Sequence, residues 1–230
     1  MKRALGATEQ LPGTGRARKV VTRRGKKIRG KFPSKKLGKI VEWESLIERD
    51  AILMMEYHPA VLRYQEQPSE ETYYDASGNA RRCYPDFSCD LASGKTILLE
   101  IKSAKELDHD KKMQRKLGQI ALSFARQGRP YRVLTDKEIR RQPLHANLLR
   151  LHDAHRATLP HTSEPHLPIS VARNSAHVLG TWAEMLGSET IALGHIARGR
   201  LRTDLELALT SESLVWMPSY TEAGDGSFSL

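Results

Sequence analysis

Cysteine is scarce in this chain of 230 residues: Cys83 and Cys89 are the only two, and they form no CxxC. That excludes both a disulfide framework and a zinc ribbon, so two reduced, buried thiols are expected. Aromatic residues make up only 6%, and none of the strand-like stretches carries the ring platform on which RNA-binding modules stack bases. No uninterrupted apolar run approaches the roughly 20 residues of a membrane-spanning helix, and the N-terminus lacks the apolar stretch of a secretory signal. A cytoplasmic protein without membrane contact is the expectation. Acidic residues are almost missing from one region, since residues 1–40 hold fourteen Lys and Arg against Glu9 alone.

That region carries a net +13 of the chain's +10, which leaves −3 for residues 41–230. A near-neutral body behind a cationic arm is the footprint of a protein that meets a polyanion, and nucleic acid is the first expectation. The whole chain is 39% apolar, enough for a real core. Basic residues mixed with Gly, Pro and Ser fit tracking of a phosphate backbone better than a helix. Arg16, Arg18, Lys19, Arg23, Arg24, Lys26 and Lys27 are therefore assigned to double-stranded DNA contact.

The pattern divides the chain into a flexible basic arm (1–40), a body (41–157), a Pro-rich linker (158–168), a small, mostly helical second domain (169–222) and a frayed tail (223–230). In the body, Trp43, Leu46, Ile47, Leu53, Met54 and Tyr57 recur at helical spacing, an apolar stripe broken once by Asp50, and His58-Pro59 closes the helix. Strands are expected over Val61–Gln67, Thr72–Tyr74 and Arg81–Tyr84, then Asp86–Leu91 and Thr96–Lys102 joined by an Ala-Ser-Gly-Lys turn. Pro85 interrupts the ladder. Met113, Leu117, Ile120, Ala121 and Phe124 mark a second amphipathic helix, Tyr131–Leu134 a last strand, and Thr135 to Glu138 a capping box. Helix, antiparallel strands, helix, strand is an α/β layer architecture. Beyond the linker, Ser170–Leu186 and Ser188–Ala197 look helical, and a winged helix suits the pattern. Trp43 and Trp182 are expected in cores.

Chemistry concentrates on two strands. Alternation puts Glu100 and Lys102 on one face of their strand, opposite Leu99 and Ile101, and the hairpin brings Asp86 close. Converging carboxylates repel, and a bound cation is one remedy; hard oxygen ligands suit Mg²⁺, with Mn²⁺ able to substitute. A third carboxylate could come from Glu48, with Glu44 one turn before it on the same helix. Such a site performs metal-assisted phosphoester hydrolysis. An isolated Glu-x-Lys is common by chance, and order, spacing and the basic arm raise its weight.

Pro85-Asp86, Glu100-Ile101-Lys102 and the upstream helical Glu48 resemble the PD-(D/E)xK nucleases, whose restriction-endonuclease-like core has the element order read above. Ser45–Glu48, Tyr57–Pro68, Pro85–Phe87, Glu100–Lys102 and Leu134–Ile139 resemble more narrowly the TnsA endonuclease subunit of heteromeric transposases, over about residues 40–140. The resemblance implies a nuclease that cuts the 5′, non-transferred strands at transposon ends. Its implied partners are a recombinase, TnsB, which cuts and joins the 3′ ends, and an ATPase regulator, TnsC, which contacts a C-terminal helical domain. By position it makes Glu48, Asp86 and Glu100 acidic ligands of Mg²⁺, adds the Ile101 carbonyl, and sets Lys102 by the attacking water. Some family members carry Gln where this chain has Glu100.

Lys105, Lys111, Lys112 and Arg115 follow the Glu-x-Lys strand, well placed for phosphates beside the cut, and Lys105, Lys111 and Lys112 are assigned to DNA contact. Glu56 and Glu66 are weaker ligand candidates, for which a solvated or structural role is expected. His145, His152, His155, His161 and His166 crowd one stretch without a nearby cysteine, which argues for solvent exposure rather than zinc. The alternatives are a free-standing restriction or repair nuclease of the same fold, and an inert DNA-binding assembly subunit.

Overall fold

The computed structural model describes residues 28–158, 167 and 176–218. Arg16, Arg18, Lys19, Arg23, Arg24, Lys26 and Lys27, His161 and His166, most of the expected linker and the tail lie outside the described residues.

A four-stranded sheet organises the half of the molecule that precedes Leu144. It is built from β3 (Val61–Glu66), β6 (Phe87–Leu91), β7 (Thr96–Lys102) and β8 (Tyr131–Thr135), in the order β3-β6-β7-β8. The pairs β3/β6 and β6/β7 are antiparallel, while β8 runs parallel to β7 after a helical crossover. Period-2 alternation divides the sheet. Tyr64, Phe87, Cys89, Leu99, Ile101 and Leu134 face helix α1 (Leu46–Tyr57), and Leu98 and Val133 face α3 (Lys111–Arg126). Helix α3 starts on Asp110, whose carboxylate accepts the Met113 N–H at 2.9 Å, and buries Leu117, Ile120 and Phe124 at helical spacing. A short α2 (Ala104–His109) precedes it, and a separate hairpin, β4 (Glu71–Tyr74) with β5 (Ala80–Cys83), adds Tyr73 and Cys83 to the same cluster. The α/β order of helix, antiparallel strands, helix and strand read from the pattern is observed after an N-terminal hairpin of residues 30–43, and it agrees with the restriction-endonuclease-like core that the resemblance implies.

The basic arm requires a correction. Residues 30–40, expected to be flexible, belong to the folded core: β1 (Gly30–Ser34) pairs antiparallel with β2 (Lys39–Trp43), and Phe32 and Val41 are opposite and buried. The first helix accordingly starts after Trp43, with Ser45 as its N-cap. Glu44 lies outside the helix rather than one turn into it, and Trp43 packs on the core from a strand. A Cβ on Gly30 would stand 2.2 Å from the Trp43 ring, so only glycine fits beneath the indole.

Two buried carboxylates on α1 explain the docking. Glu56 accepts from Ser34 Oγ at 2.7 Å, Tyr64 Oη at 2.6 Å and the Lys35 and Lys36 amides at 2.8 and 2.9 Å, binding the β1–β2 hairpin to helix and sheet together. Lys36 then donates its Nζ to the carbonyls of Met55, His58 and Val61 at 2.7–2.9 Å, closing the C-terminal end of α1 with a cation, as the helix dipole favours. Burial lowers the Lys36 pKa to about 8 against the opposing pull of Glu56. Asp50, the apparent break in the apolar stripe, is buried because Arg49 (2.6 Å) and Arg140 (2.7 Å) pair with it, while His145 Nε2 lies 3.6 Å away. Arg140 follows α4 (Asp136–Ile139), whose Thr135/Glu138 capping box is present.

Helix α5 (Leu144–Ala157) joins both halves, since Leu144 and Leu148 enter the core beside α1 while Leu151 and Ala154 enter a second cluster. That cluster contains α6 (Leu179–Leu186), α7 (Glu189–Ala197) and a small sheet of β9 (Ala176–Val178), β10 (Arg202–Thr203) and β11 (Leu214–Trp216), in the order β10-β11-β9. Residues 176–178, expected to be helical, thus form a strand paired with β11. Trp182 is fully buried and donates to the Val215 carbonyl at 3.0 Å. The histidines of α5 are not the solvated group expected: His152 stacks on Phe32 at 5.1 Å and meets Tyr57 Oη at 3.1 Å, and His155 is buried.

Replacing Glu56 by Ala should cost roughly 3 kcal/mol or more, because two hydroxyls and two amides lose their acceptor and Lys36 its nearby charge. Denaturant unfolding, with hydrogen exchange localising the loss to residues 30–43, checks this; a change under about 1 kcal/mol would contradict it.

Candidate active site

The sheet brings Asp86, Glu100, Ile101 and Lys102 to one place. Asp86 precedes β6, and its Oδ2 accepts the Ile101 N–H at 2.7 Å, a side-chain substitute for a ladder bond where Pro85 has ended regular pairing. Alternation turns the buried Ile101 side chain to the α1 core and leaves Glu100 and Lys102 on the α3 side. The Lys102 Nζ then lies 2.6 Å from Glu100 Oε1, 3.0 Å from the Ile101 carbonyl and 3.4 Å from Asp86 Oδ2. Three hard oxygens therefore surround one ammonium.

The electrostatics follow from poor solvation. Burial, then the charge of Asp86, pushes the Glu100 pKa up to about 7 against the pull of Lys102. Burial alone would lower Lys102, but Asp86 and Glu100 outweigh it and hold the ammonium above its ordinary value. Glu100 is thus poised to exchange a proton near neutrality, while Lys102 stays charged.

Glu48 behaves differently. Its Oε2 accepts the Glu44 N–H at 2.8 Å, its Oε1 the Ser45 hydroxyl at 3.1 Å, and its own N–H donates to Ser45 Oγ. Here it serves the start of α1. Burial raises its pKa and the nearby charge of Asp86 adds to that. The expected third carboxylate lies near enough to feel the charge of Asp86, yet among the described residues no three His, Cys, Asp or Glu side chains are already gathered into a group that could hold a metal ion. The physical reason is repulsion. Lys102 neutralises two carboxylates, and the third finds its donors at the helix N-terminus.

The other candidates separate. Glu56 is structural, as described above. Glu66 pairs with the Phe87 position on the α1 side of the sheet and lies 3.8 Å from Lys39 Nζ. Lys105, Lys111, Lys112 and Arg115 are exposed on α2 and α3, beside the face that carries Glu100 and Lys102. The sequence reading missed Lys116, whose charge reaches Glu100; its place one turn after Lys112 was the available signal. It also missed Gln67, whose N–H donates to the Asp86 carbonyl at 2.8 Å. Both cysteines are free and buried, and burial raises their thiols to about 11 (Cys83) and about 12 (Cys89). No helix among the described residues is long and apolar enough to cross a membrane.

Glu100 supplies a prediction. Its folded pKa lies above the ordinary 4.5, so unfolding releases its proton and its contribution makes stability fall as pH rises from 4.5 towards about 7. Glu100→Gln should flatten that decline. Denaturant unfolding of both proteins at pH 5 and pH 8 in metal-free buffer checks the sign, and parallel behaviour would contradict it.

Residues 58–136, which contain Asp86, Glu100 and Lys102 but not Glu48, match the family model of the TnsA-like endonuclease N-terminal domain. No curated protein matches the chain. Over the segment that holds the charged cluster, the chain is similar to the N-terminal domain of TnsA-like endonucleases.

Proposed function

We propose that this chain is a Mg²⁺-dependent DNA endonuclease that cuts the 5′, non-transferred strands at transposon ends, alongside a TnsB-type recombinase and a TnsC-type ATPase. The observation that carries the reading is the oxygen set around Lys102 Nζ: Glu100 Oε1, the Ile101 carbonyl and Asp86 Oδ2, all within 3.4 Å. Hard oxygens already gathered about a cation fit a divalent ion. Asp86, Glu100 and the Ile101 carbonyl would hold it, with Glu48 as the third carboxylate. When bound, such an ion lowers the pKa of water and neutralises charge on the scissile phosphate.

The chain's own groups do the rest. The Ile101 N–H fixes the Asp86 carboxylate against β7, so that this oxygen keeps its direction. Lys102 offers an ammonium that stays charged near neutrality, able to orient a water through one hydrogen and to offset charge developing on the phosphate. Glu100, raised to about 7 by burial and by Asp86, would be held ionised once a divalent ion lay beside it, and so would serve as a ligand. The exposed lysines of α2 and α3 supply backbone contacts that position DNA without reading its sequence. Sequence choice is then left to the partners, for which the cluster of α6, α7 and the small sheet is the proposed docking domain.

Asp86→Ala and Lys102→Ala should each lower cleavage by at least about 100-fold while leaving DNA affinity within a few-fold. Strand-specific nicking of a labelled transposon-end duplex in Mg²⁺, with each protein alone and with both partners, tests this. Cutting of the 5′ strand only in the full mixture is expected, and Ca²⁺ should support binding better than cutting. Cutting by the wild type alone would favour a free-standing nuclease, and normal cutting by Asp86→Ala would refute the site. Lys111→Ala with Lys112→Ala should weaken DNA binding and reduce the slope of log K against log salt by about 0.9 per lost phosphate contact. Filter-binding titrations over a range of salt measure it, and an unchanged slope would remove these lysines from the interface.

A further inference from the structure

Asp50 gathers more cation than one carboxylate needs. Arg49 donates to its Oδ1 through Nε at 2.9 Å and Nη2 at 2.6 Å, while Arg140 donates to its Oδ2 through Nε at 2.7 Å. Two guanidinium groups on one carboxylate leave one positive charge over. Among the described residues the remaining nitrogens, Arg49 Nη1 and both Nη of Arg140, donate to no acceptor. They are not closed off: the Arg49 side chain is 40% exposed and that of Arg140 38%, whereas the Asp50 carboxylate they share is 1% exposed.

The pair also stands close to the charged cluster. Arg49 directly follows Glu48 on α1. Thr135 pairs with Lys102 across β7 and β8, and the Asp136 side chain at the start of α4 accepts the Ala104 N–H at 2.7 Å. Arg140 caps the other end of this helix, about 6 Å further on at 1.5 Å per residue. One arginine is thus adjacent to Glu48, and the other is one helical turn from the strand position beside Lys102. The lysines of α3 lie on one face of the sheet and α1 on the other, so cations flank the end of β7 from both sides.

The chemistry selects the ligand. A guanidinium edge presents N–H groups in a fixed fork that matches the oxygens of a phosphate, and a buried carboxylate anchor sets their direction in advance. Acids of the chain do not take that place, since Glu48 is engaged at the α1 N-terminus and Glu138 by Thr135 and Arg132.

We propose that Arg49 and Arg140, locked on Asp50, form a fork that grips one backbone phosphate of the DNA beside the cut. The inference rests on the nuclease reading above and extends the DNA contact to the α1 side of the sheet. The fork positions the strand, takes no part in the chemistry and reads no sequence.

Arg49→Gln, Arg140→Gln and the double variant test it, because glutamine removes the charge yet keeps a donor for Asp50. The full chain is titrated against a labelled transposon-end duplex by filter binding over a range of salt. Melting temperature is recorded for each protein, with kcat and KM in the reaction containing both partner proteins. Each single variant should raise Kd about 10-fold, with KM rising in step and kcat staying within a few-fold. The double variant should lower the slope of log K against log salt by about 0.9, the value for one phosphate. A loss of about 1.8 would mean two separate contacts and an unchanged slope none, and either result overturns the fork. Asp50→Asn adds a positive charge but loosens the anchor, so the fork requires weaker binding where bulk electrostatics requires tighter. Tighter binding by an Asp50→Asn protein that still melts cooperatively overturns the proposal. Should Arg140→Gln not fold, Arg140→Lys keeps the ion pair with Asp50 while removing the fork, and a wild-type Kd for it would count against the proposal in the same way. A wild type that binds the duplex but cuts in no mixture removes the nuclease reading, while the salt slopes still decide the phosphate contact.

Discussion

One ammonium ion governs the end of β7. Lys102 Nζ lies 2.6 Å from one carboxylate and 3.4 Å from another, with a backbone carbonyl 3.0 Å away, in surroundings that solvate charge poorly. Two carboxylates so placed cannot both ionise without a cation, and removing them from water raises the cost. Lys102 meets that constraint within the chain itself. Because the cation is on the same strand as Glu100, two positions away on the same face, β-alternation alone secures the pair. The Asp86 carboxylate joins through the Ile101 amide, so the whole arrangement hangs on the geometry of a single strand end.

The rest of the fold contrasts with this site. Glu56 and Asp50 are more deeply buried than Glu100 and have settled, full sets of partners: hydroxyls and amides for the first, guanidinium groups for the second. They fix α1 to the β1–β2 hairpin on one side and to α4 and α5 on the other, and the α1 core in turn supports β7 from behind. Glu100 and Gln67 are left with less. One is a carboxylate pushed towards protonation, the other a residue of positive φ whose buried amide oxygen has no donor among the described residues. Groups that the fold satisfies hold it together, and Glu100, pushed towards protonation beside Asp86, stands where the proposed chemistry occurs.

The site and the sheet were legible in the sequence for the same reason. Glu100 and Lys102 lie on β7 and Asp86 immediately before β6, with a short turn joining the two strands, so spacing and period-2 alternation suffice to bring them together. The helix α3 and the Thr135/Glu138 cap are equally local. What escaped reading depends on partners distant along the chain. Residues 30–40 looked like an arm because Lys31, Lys35, Lys36 and Lys39 dominate them, yet Glu56, some twenty positions on, folds them down. Asp50 looked like a flaw in a helix because Arg140 is ninety positions away. Glu48 was placed correctly on α1, but its carboxylate answers the helix N-terminus before the cluster. The positive φ of Gln67 has no sequence signal at all, since glutamine does not announce a left-handed backbone.

A divalent ion bound as proposed would take the oxygen set that Lys102 Nζ now occupies. Anomalous diffraction from crystals grown with Mn²⁺, compared with crystals grown without divalent metal, tests it most directly. One Mn²⁺ is expected, bound by Asp86, Glu100 and the Ile101 carbonyl, with Lys102 Nζ withdrawn from Glu100. Mn²⁺ bound elsewhere, or Lys102 still paired with Glu100 beside a bound ion, would contradict it.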